Sequence, residues 1–408
     1  MKDKLITILR VCFYFLIKPF LWVYSVIFQH VRFRLNGYKI PKGPVLFLSN
    51  HVTNWDPFYL NCMFFTRVIR FIAHDELFSN KFFAWFSKNI LGEVCRGRTD
   101  ESVSDILEMR RLVKSGATLG LYPEGDIDMF GRTLPIGESV AKFARLLGVP
   151  VVLTKIQGAC IRTPRWADKP RHSKITYSIT DIIYPNELKS TPVKELYERI
   201  LSGIVVDEYS YQKEIKVKQL PATRRAEWLE LGLFYCPNCE KLETLTSKGD
   251  KVYCKECNFK AKYNRYSMLE PVNGSLPFQL LTEWDDKQKN VLCERLDLHT
   301  DNTPFLVANN LDYYQIAQTE YFKKPICKAN LKLYKDRLEI TFDNPMEVQT
   351  IQMKDIRQAT LQYKDVLEIQ YDEFRIRFQA KGRKWSAYLY ALAINHLTKA
   401  KKYYLPKQ

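Results

Sequence analysis

The chain has 408 residues, 46 % of them hydrophobic, and its 62 Lys and Arg against 45 Asp and Glu give a formal net charge of +17. That length accommodates about two or three domains, and the ordinary apolar content excludes a globally disordered chain. The positive excess calls for an anionic partner surface, which nucleic acid and acidic phospholipid both offer.

The N-terminus favours lipid. Residues 5–31 are Leu, Ile, Val, Phe, Tyr and Trp almost throughout, interrupted by Arg10, Lys18 and Pro19. The uncharged runs fall short of the roughly 20 residues of a spanning helix. A pair of interfacial or re-entrant helices, bent at Lys18-Pro19, is therefore expected over residues 1–34. No small-residue cleavage site follows, which argues against a secretory signal. Arg32, Arg34, Lys39 and Lys42 come next and suit an anionic cytoplasmic leaflet. The expectation is attachment to the cytoplasmic face of a membrane by these hydrophobic helices, with anionic phospholipid as partner and no nucleic acid.

Residues 35–208 read as an α/β domain. After the apolar run Val45–Leu48 comes Asn50-His-Val-Thr-Asn-Trp-Asp56, which puts His51 and Asp56 five positions apart. If the chain turns between them, the carboxylate fixes the imidazole tautomer and leaves the other ring nitrogen to take a proton. Asp56-Pro57 also reads as a helix N-cap followed by proline, and both readings can hold together. Arg96 and Arg98 lie in Cys-Arg-Gly-Arg-Thr-Asp, before a helix expected over Ser102–Lys114. Arginine forks suit phosphate, although loop arginines usually bind nothing. The run Ala117–Tyr122 reads as a short buried strand, and Pro123-Glu-Gly125 leaves its C-terminal end, where open α/β sheets bind ligands. Gly148-Val-Pro-Val-Val-Leu is a turn feeding another apolar strand.

These four blocks, in this order, resemble the glycerolipid acyltransferase family, whose best-known members are the 1-acylglycerol-3-phosphate acyltransferases. The resemblance covers roughly residues 35–200, and the H-x4-D and P-E-G blocks are its most specific parts. It implies that His51 is the general base toward an acceptor hydroxyl attacking an acyl thioester, with Asp56 orienting it. Glu124 and Gly125 would line the acceptor pocket, and Arg96 and Arg98 would meet phosphate. The donor would be acyl-CoA or acyl carrier protein, and the acceptor a lysophospholipid, first of all 1-acylglycerol-3-phosphate, in phospholipid biosynthesis. The chain departs from the family pattern where a small or amide residue and then an arginine usually follow P-E-G. Asp126 and Ile127 stand there, with Asp128 next. Carboxylates repel a phosphate head group, so Arg132 or Lys155 would have to supply the charge, or the acceptor is a different lysolipid. Leu153 and Thr154 likewise stand where the fourth block usually has a second proline.

A basic, helical-looking linker is expected over residues 209–232. The cysteines Cys236, Cys239, Cys254 and Cys257 then form two C-x2-C pairs within 233–262, separated by a segment with a hairpin turn near Ser247-Lys-Gly-Asp. Two such knuckles complete a closed tetrahedral site, so a zinc ribbon holding structural zinc (Zn) is expected. The other cysteines show no disulfide spacing, which suits a reducing compartment. Residues 263–325 are a connecting segment in which Leu281–Leu296 reads as an amphipathic helix. Over 326–408, alternating runs at Leu331–Tyr334, Leu338–Phe342, Glu347–Ile351, Gln358–Tyr363, Val366–Tyr371 and Phe374–Gln379 read as antiparallel strands, followed by a helix over Trp385–Ala400. This resembles a pleckstrin-homology or GRAM-like barrel closed by a helix.

Two further readings compete with an acyltransferase. One is a catalytically altered relative that only binds membrane or partners, motivated by Asp126 and Ile127. The other is a metal hydrolase using His51, Asp56, Glu124 and Asp126, which lacks a ligand motif such as H-x-x-x-H.

Overall fold

The computed structural model describes residues 2–73, 81–95, 103–219, 224–300, 302–317, 324–343, 347–380, 382–383 and 385–399. They divide into two compact units, one of residues 1–162 and 173–211, the other of 163–172 and 212–408.

The first unit opens with α1 (Lys2–Val23), continued by a π-helical turn over Tyr24–Phe28. The expected break at Lys18-Pro19 is absent, and one helix runs through Pro19. Side chains before the proline tie the helix to its neighbours. Lys18, 1 % exposed, donates to the carbonyls of Phe64 and Arg67, while Tyr14 Oη donates to Leu91 O at 3.1 Å and Arg10 Nε to Asn89 O at 3.1 Å. The charges that interrupt the apolar run thus turn inward onto carbonyls at the ends of neighbouring helical turns. Leu5, Ile8, Phe15, Leu16, Phe20 and Ile27 face outward and are exposed. The segment Leu5–Phe28 has a mean hydropathy of 1.8 and is long and apolar enough to cross or anchor in a membrane.

There follow β1 (Val31–Arg34), β2 (Leu46–Ser49), α2 (Asp56–Met63), β3 (Ile69–Ala73), α3 (Lys81–Phe86), β4 (Val94–Cys95), α4 (Val103–Lys114), β5 (Thr118–Leu121), α5 (Ser139–Leu147), β6 (Val151–Gln157), α6 (Ala159–Arg162), β7 (Ile175–Ile183), α7 (Pro185–Ser190), α8 (Val193–Ile204) and α9 (Glu208–Ile215). One sheet runs β1-β7-β6-β2-β5-β3-β4. Strands β6, β2, β5 and β3 are mutually parallel, so their C-terminal ends share one edge. Strand β7 runs antiparallel to β6 and carries β1 parallel to itself at the margin. Interior strands of this kind are buried on both faces and read as continuous apolar runs. Leu46, Leu48, Leu119, Val151 and Leu153 pack with Leu112 and Val113 of α4, Val140 and Ala144 of α5, and Ile200 and Ile204 of α8. Phe47, between Leu46 and Leu48, meets Phe64 with ring centroids 4.9 Å apart.

Helix α9 covers only the start of the expected basic linker helix. Lys216 already takes φ +48°, a left-handed backbone that ends the helix ahead of Pro221. In the second unit, β8 (Leu245–Lys248), β9 (Lys251–Cys254), β10 (Lys260–Tyr263) and β11 (Leu269–Asn273) form an antiparallel sheet in the order β11-β10-β9-β8. Helix α10 (Leu281–Leu298) grips the segment before the first cysteine pair. Its Trp284 Nε1 donates to Tyr235 O at 2.9 Å, and the Gln288 amide takes both Gly232 O and Phe234 N.

The last sheet contains β12 (Leu306–Ala317), β13 (Cys327–Leu333), β14 (Arg337–Phe342), β15 (Val348–Gln352), β16 (Ile356–Gln362), β17 (Val366–Tyr371) and β18 (Phe374–Gln379), followed by α11 (Ala387–Leu397). Its order is β15-β14-β13-β12-β18-β17-β16, antiparallel throughout. Strands β15 and β16 end the ladder, so among the described residues it does not close by hydrogen bonding into a barrel. Helix α11 packs on β16 and β17. Strand β12 was not expected from the sequence. A bulge between Ala308 and Leu311, with Asn310 at φ +58°, breaks its alternation.

Candidate active site

Parallel pairing of β2 with β5 sets Leu48 opposite Leu121, so Asn50–Asp56 and Tyr122–Glu124 leave the sheet at one edge and one level. At Asn50 the ladder toward β6 passes to a side chain. Asn50 Nδ2 donates to Ile156 O at 2.9 Å, and Ile156 N donates to Asn50 Oδ1 at 2.7 Å. This frees the backbone to turn at His51.

Asp56 is fully buried and its carboxylate gathers five donors. Oδ2 meets His51 Nδ1 at 2.9 Å and accepts from Val52 N at 2.7 Å and Thr53 N at 2.9 Å. Oδ1 accepts from Thr53 Oγ1 at 2.8 Å and from Tyr177 Oη at 2.9 Å. The capping alternative is thereby decided. Trp55 occupies the N-cap position of α2, and the Asp56 carboxylate reaches back to Val52 and Thr53 instead of forward into its own helix. A carboxylate only accepts, so Nδ1 carries the proton and Nε2 presents its lone pair. The His51 side chain is 18 % exposed. Burial and the nearby Asp56 charge hold the Tyr177 phenol well above its ordinary range, which keeps it a donor.

Glu124 ties the third block to the first. Its Oε1 accepts from His51 N at 2.6 Å and its Oε2 from Leu134 N at 2.6 Å, with the residue 5 % exposed. Burial pushes its carboxyl well above the ordinary range, against the pull of those two amides. Glu124 therefore positions the His51 backbone, and both its oxygens are engaged. Gly125 N donates to Tyr122 O at 3.1 Å and Gly125 takes φ +68°, a conformation glycine adopts without penalty.

Asp128 is buried, and its Oδ2 accepts from Phe130 N at 2.8 Å and Arg132 N at 3.2 Å, so its charge is turned into the turn's own amides. Asp126 Oδ1 accepts from Ile127 N at 2.7 Å. Arg132 Nε pairs with Asp207 Oδ2 at 3.2 Å, and Lys155 Nζ donates to Ser202 O at 3.2 Å. Arg96 and Arg98 lie outside the described residues. Sequence reasoning missed Tyr177, Asn50 and the ring of Tyr122, which stacks on His51. Of these, only the two next to quoted motifs carried a local signal.

Residues 30–155 match the acyltransferase family model. The matched stretch contains the His51–Asp56 pair and the Pro-Glu-Gly turn. Among solved structures, the 1-acyl-sn-glycerophosphate (LPA) acyltransferase PlsC from Thermotoga maritima is similar at 18 % identity, covering 50 % of this chain and 79 % of that one with a TM-score of 0.41. Inner Membrane Complex (IMC) Sub-compartment Protein 3 (ISP3) from Toxoplasma gondii is similar at 15 % identity, covering 28 % of this chain and 86 % of that one with a TM-score of 0.18. Scores this low assign no residue a role. No curated protein matches the chain significantly.

The four cysteines of the second unit form a separate cluster whose Sγ atoms all lie within 4.8 Å of one another. Cys236 and Cys257 are 3.8 Å apart and Cys239 and Cys254 3.7 Å. Ligand sulfurs about 2.3 Å from a tetrahedral ion would sit about 3.8 Å apart, so the arrangement fits a metal. The Glu256 amide donates to Cys254 Sγ at 3.4 Å, which supports the charge a bound thiolate carries.

Proposed function

We propose that the protein is a membrane-attached O-acyltransferase that moves a fatty acyl group from an acyl thioester, acyl-CoA or acyl carrier protein, to the hydroxyl of a lysophospholipid. The observation that carries the reading is the 2.9 Å contact of His51 Nδ1 with the buried, fully donated Asp56, which leaves Nε2 as a base at the ligand-binding edge of the sheet. His51 Nε2 takes the proton of the acceptor hydroxyl as its oxygen bonds to the thioester carbonyl carbon. The tetrahedral intermediate then collapses, the carbon–sulfur bond breaks, and the departing thiolate receives the proton from His51. Asp56 stabilises the transient imidazolium, and no covalent acyl-enzyme is required.

The first acceptor to expect is 1-acylglycerol-3-phosphate, with Arg96 and Arg98 as phosphate ligands. A different lysolipid acceptor is favoured by one observation. Arg132, the cation nearest in sequence to the Pro-Glu-Gly turn, pairs with Asp207, while Asp126 and Ile127 follow the turn directly. The outward apolar face of α1 and the basic residues Arg32, Arg34, Lys39 and Lys42 support attachment to an anionic, cytoplasmic membrane surface. Cys236, Cys239, Cys254 and Cys257 would hold structural zinc, a four-sulfur site with no open position for chemistry.

Thioester consumption by membrane-embedded full-length protein, measured over a panel of lysolipids, tests the reading. Turnover with at least one acceptor that disappears in His51→Ala, with the melting temperature retained, is the expected result. Absence of turnover above the His51→Ala background for every acceptor refutes it.

A further inference from the structure

A single hydrogen bond at Nδ1 leaves an imidazole free to pivot about that bond, so something else must set the plane in which His51 presents Nε2. The Tyr122 ring lies face to face with the imidazole, with centroids 4.3 Å apart and planes 14° apart. Phe71 stacks behind it at 5.3 Å and 8°. His51 and Tyr122 lie just past the C-terminal ends of neighbouring strands β2 and β5, and Phe71 stands in the middle of β3, the next strand over. Phe71 pairs with Gly120 across the ladder, and a Cβ on Gly120 would come within 2.3 Å of the Phe71 ring. Glycine at 120 is thus what lets Phe71 lie down and back the Tyr122 ring. The Tyr122 hydroxyl is buried with no hydrogen-bond partner among the described residues, so the geometry employs the ring and not the oxygen.

We propose that Tyr122 is a positioning residue for His51: its ring, backed by Phe71 over Gly120, fixes the plane of the imidazole and faces the imidazolium that forms when Nε2 takes a proton. An aromatic face attracts a cation and a planar neighbour restricts tilt. The effect on rate rests on the acyltransferase reading, whereas the effect on the imidazole does not.

The test uses full-length protein in anionic vesicles with Tyr122→Phe, Tyr122→Leu and the double variant Tyr122→Leu with His51→Ala. Tyr122→Phe should keep kcat and KM within about twofold. Tyr122→Leu should lower kcat about tenfold to a hundredfold, with KM within about threefold, the pattern of a misplaced base. In the His51→Ala background the same change should cost nothing further. A second readout needs no turnover: diethyl pyrocarbonate modification of His51, followed on its peptide by mass spectrometry, should accelerate about threefold or more in Tyr122→Leu and stay at the wild-type rate in Tyr122→Phe. A Tyr122→Phe variant as impaired as Tyr122→Leu would overturn the proposal in favour of the phenol oxygen. A raised KM at unchanged kcat would overturn it in favour of substrate contact, and equal modification rates in all three proteins would overturn it outright. If the wild-type protein consumes no thioester, the acyltransferase reading falls and the modification rates alone decide this proposal.

Discussion

Asp56→Asn separates charge from geometry at the proposed base. The three donors on Oδ2 are His51 Nδ1, Val52 N and Thr53 N, two of them backbone amides that cannot reverse. The two donors on Oδ1 are the hydroxyls of Thr53 and Tyr177, which can rotate and accept instead. An asparagine therefore fits in one orientation, with carbonyl oxygen toward His51 and amide nitrogen toward the hydroxyls, and the Nδ1–H tautomer survives. What disappears is the charge. Opposite unit charges 4 Å apart attract by about 4 kcal/mol at an effective dielectric constant near 20. A neutral carbonyl retains part of this, so a loss of kcat of about 10²–10³-fold is expected. Stability should fall by only about 1–2 kcal/mol, as charge-assisted bonds become neutral ones. Asp56→Ala instead strands two buried amides and opens a cavity, and should cost about 3–5 kcal/mol. Thioester turnover and thermal melting on the same preparations check both numbers. The reasoning is refuted if Asp56→Asn keeps turnover within about threefold of wild type, or if it melts as early as Asp56→Ala.

Further outcomes follow from other buried groups. Burial lifts the Glu208 carboxyl from 4.5 to about 8, although Gly158 N donates to it at 2.7 Å. A raised value means the folded state holds the extra proton, so this stability is complete below 4.5 and is lost as pH rises to about 8, with an upper bound of about 5 kcal/mol. Glu208→Gln should flatten that decline and melt above wild type at pH 8.5; parallel melting curves across pH would contradict it. Purified protein should carry one zinc per chain by elemental analysis, and Cys254→Ser or a chelator should unfold the 233–262 segment while leaving thioester turnover in place. Loss of turnover without unfolding would instead favour a catalytic metal. Trp166 is fully buried beside Tyr263, and Arg171 lies over both rings at 4.6 and 5.5 Å. Trp166→Ala should therefore destabilise the second unit by about 3–5 kcal/mol. A 212–408 fragment, lacking 163–172, should show the same loss, and a fragment that melts like the intact chain would show that the excursion contributes nothing.

The His51–Asp56 contact was legible because both partners sit within one turn, and five positions suffice to bring a carboxylate under an imidazole. The Pro-Glu-Gly turn was legible for a related reason, since a short apolar strand announces the edge it leaves. The roles inside the site were less so. Glu124 reads as a pocket carboxylate, yet its partner is the amide of His51, 73 positions away, and Tyr177 lies 121 positions from the Asp56 it serves. Nothing local marks such residues, because they are selected by strand order: β5 comes beside β2, and β7 one strand beyond β6, only once the sheet is assembled. The N-terminal break at Pro19 failed for the same reason. A proline and a lysine interrupt an isolated helix, but here the helix continues through Pro19, with Lys18 bonded to the carbonyls of Phe64 and Arg67.

Three asparagines show what a local reading cannot see and what it could learn to look for. Asn50 pairs with Ile156, Asn61 with Ile69 and Asn395 with Ala359, each giving its amide to a backbone carbonyl and taking the backbone N–H in return. A primary amide reproduces the donor and acceptor of a peptide group, so it can occupy a ladder position while its own backbone goes elsewhere. At Asn61 and Asn395 that backbone stays helical. At Asn50 the consequence is chemical, because the strand ends without orphaning Ile156 and the next residue is released from the sheet. That residue is His51. The asparagine preceding the histidine thus holds the His51 segment from one side as Asp56 does from the other, and a polar residue closing an apolar strand is a signal that sequence alone displays.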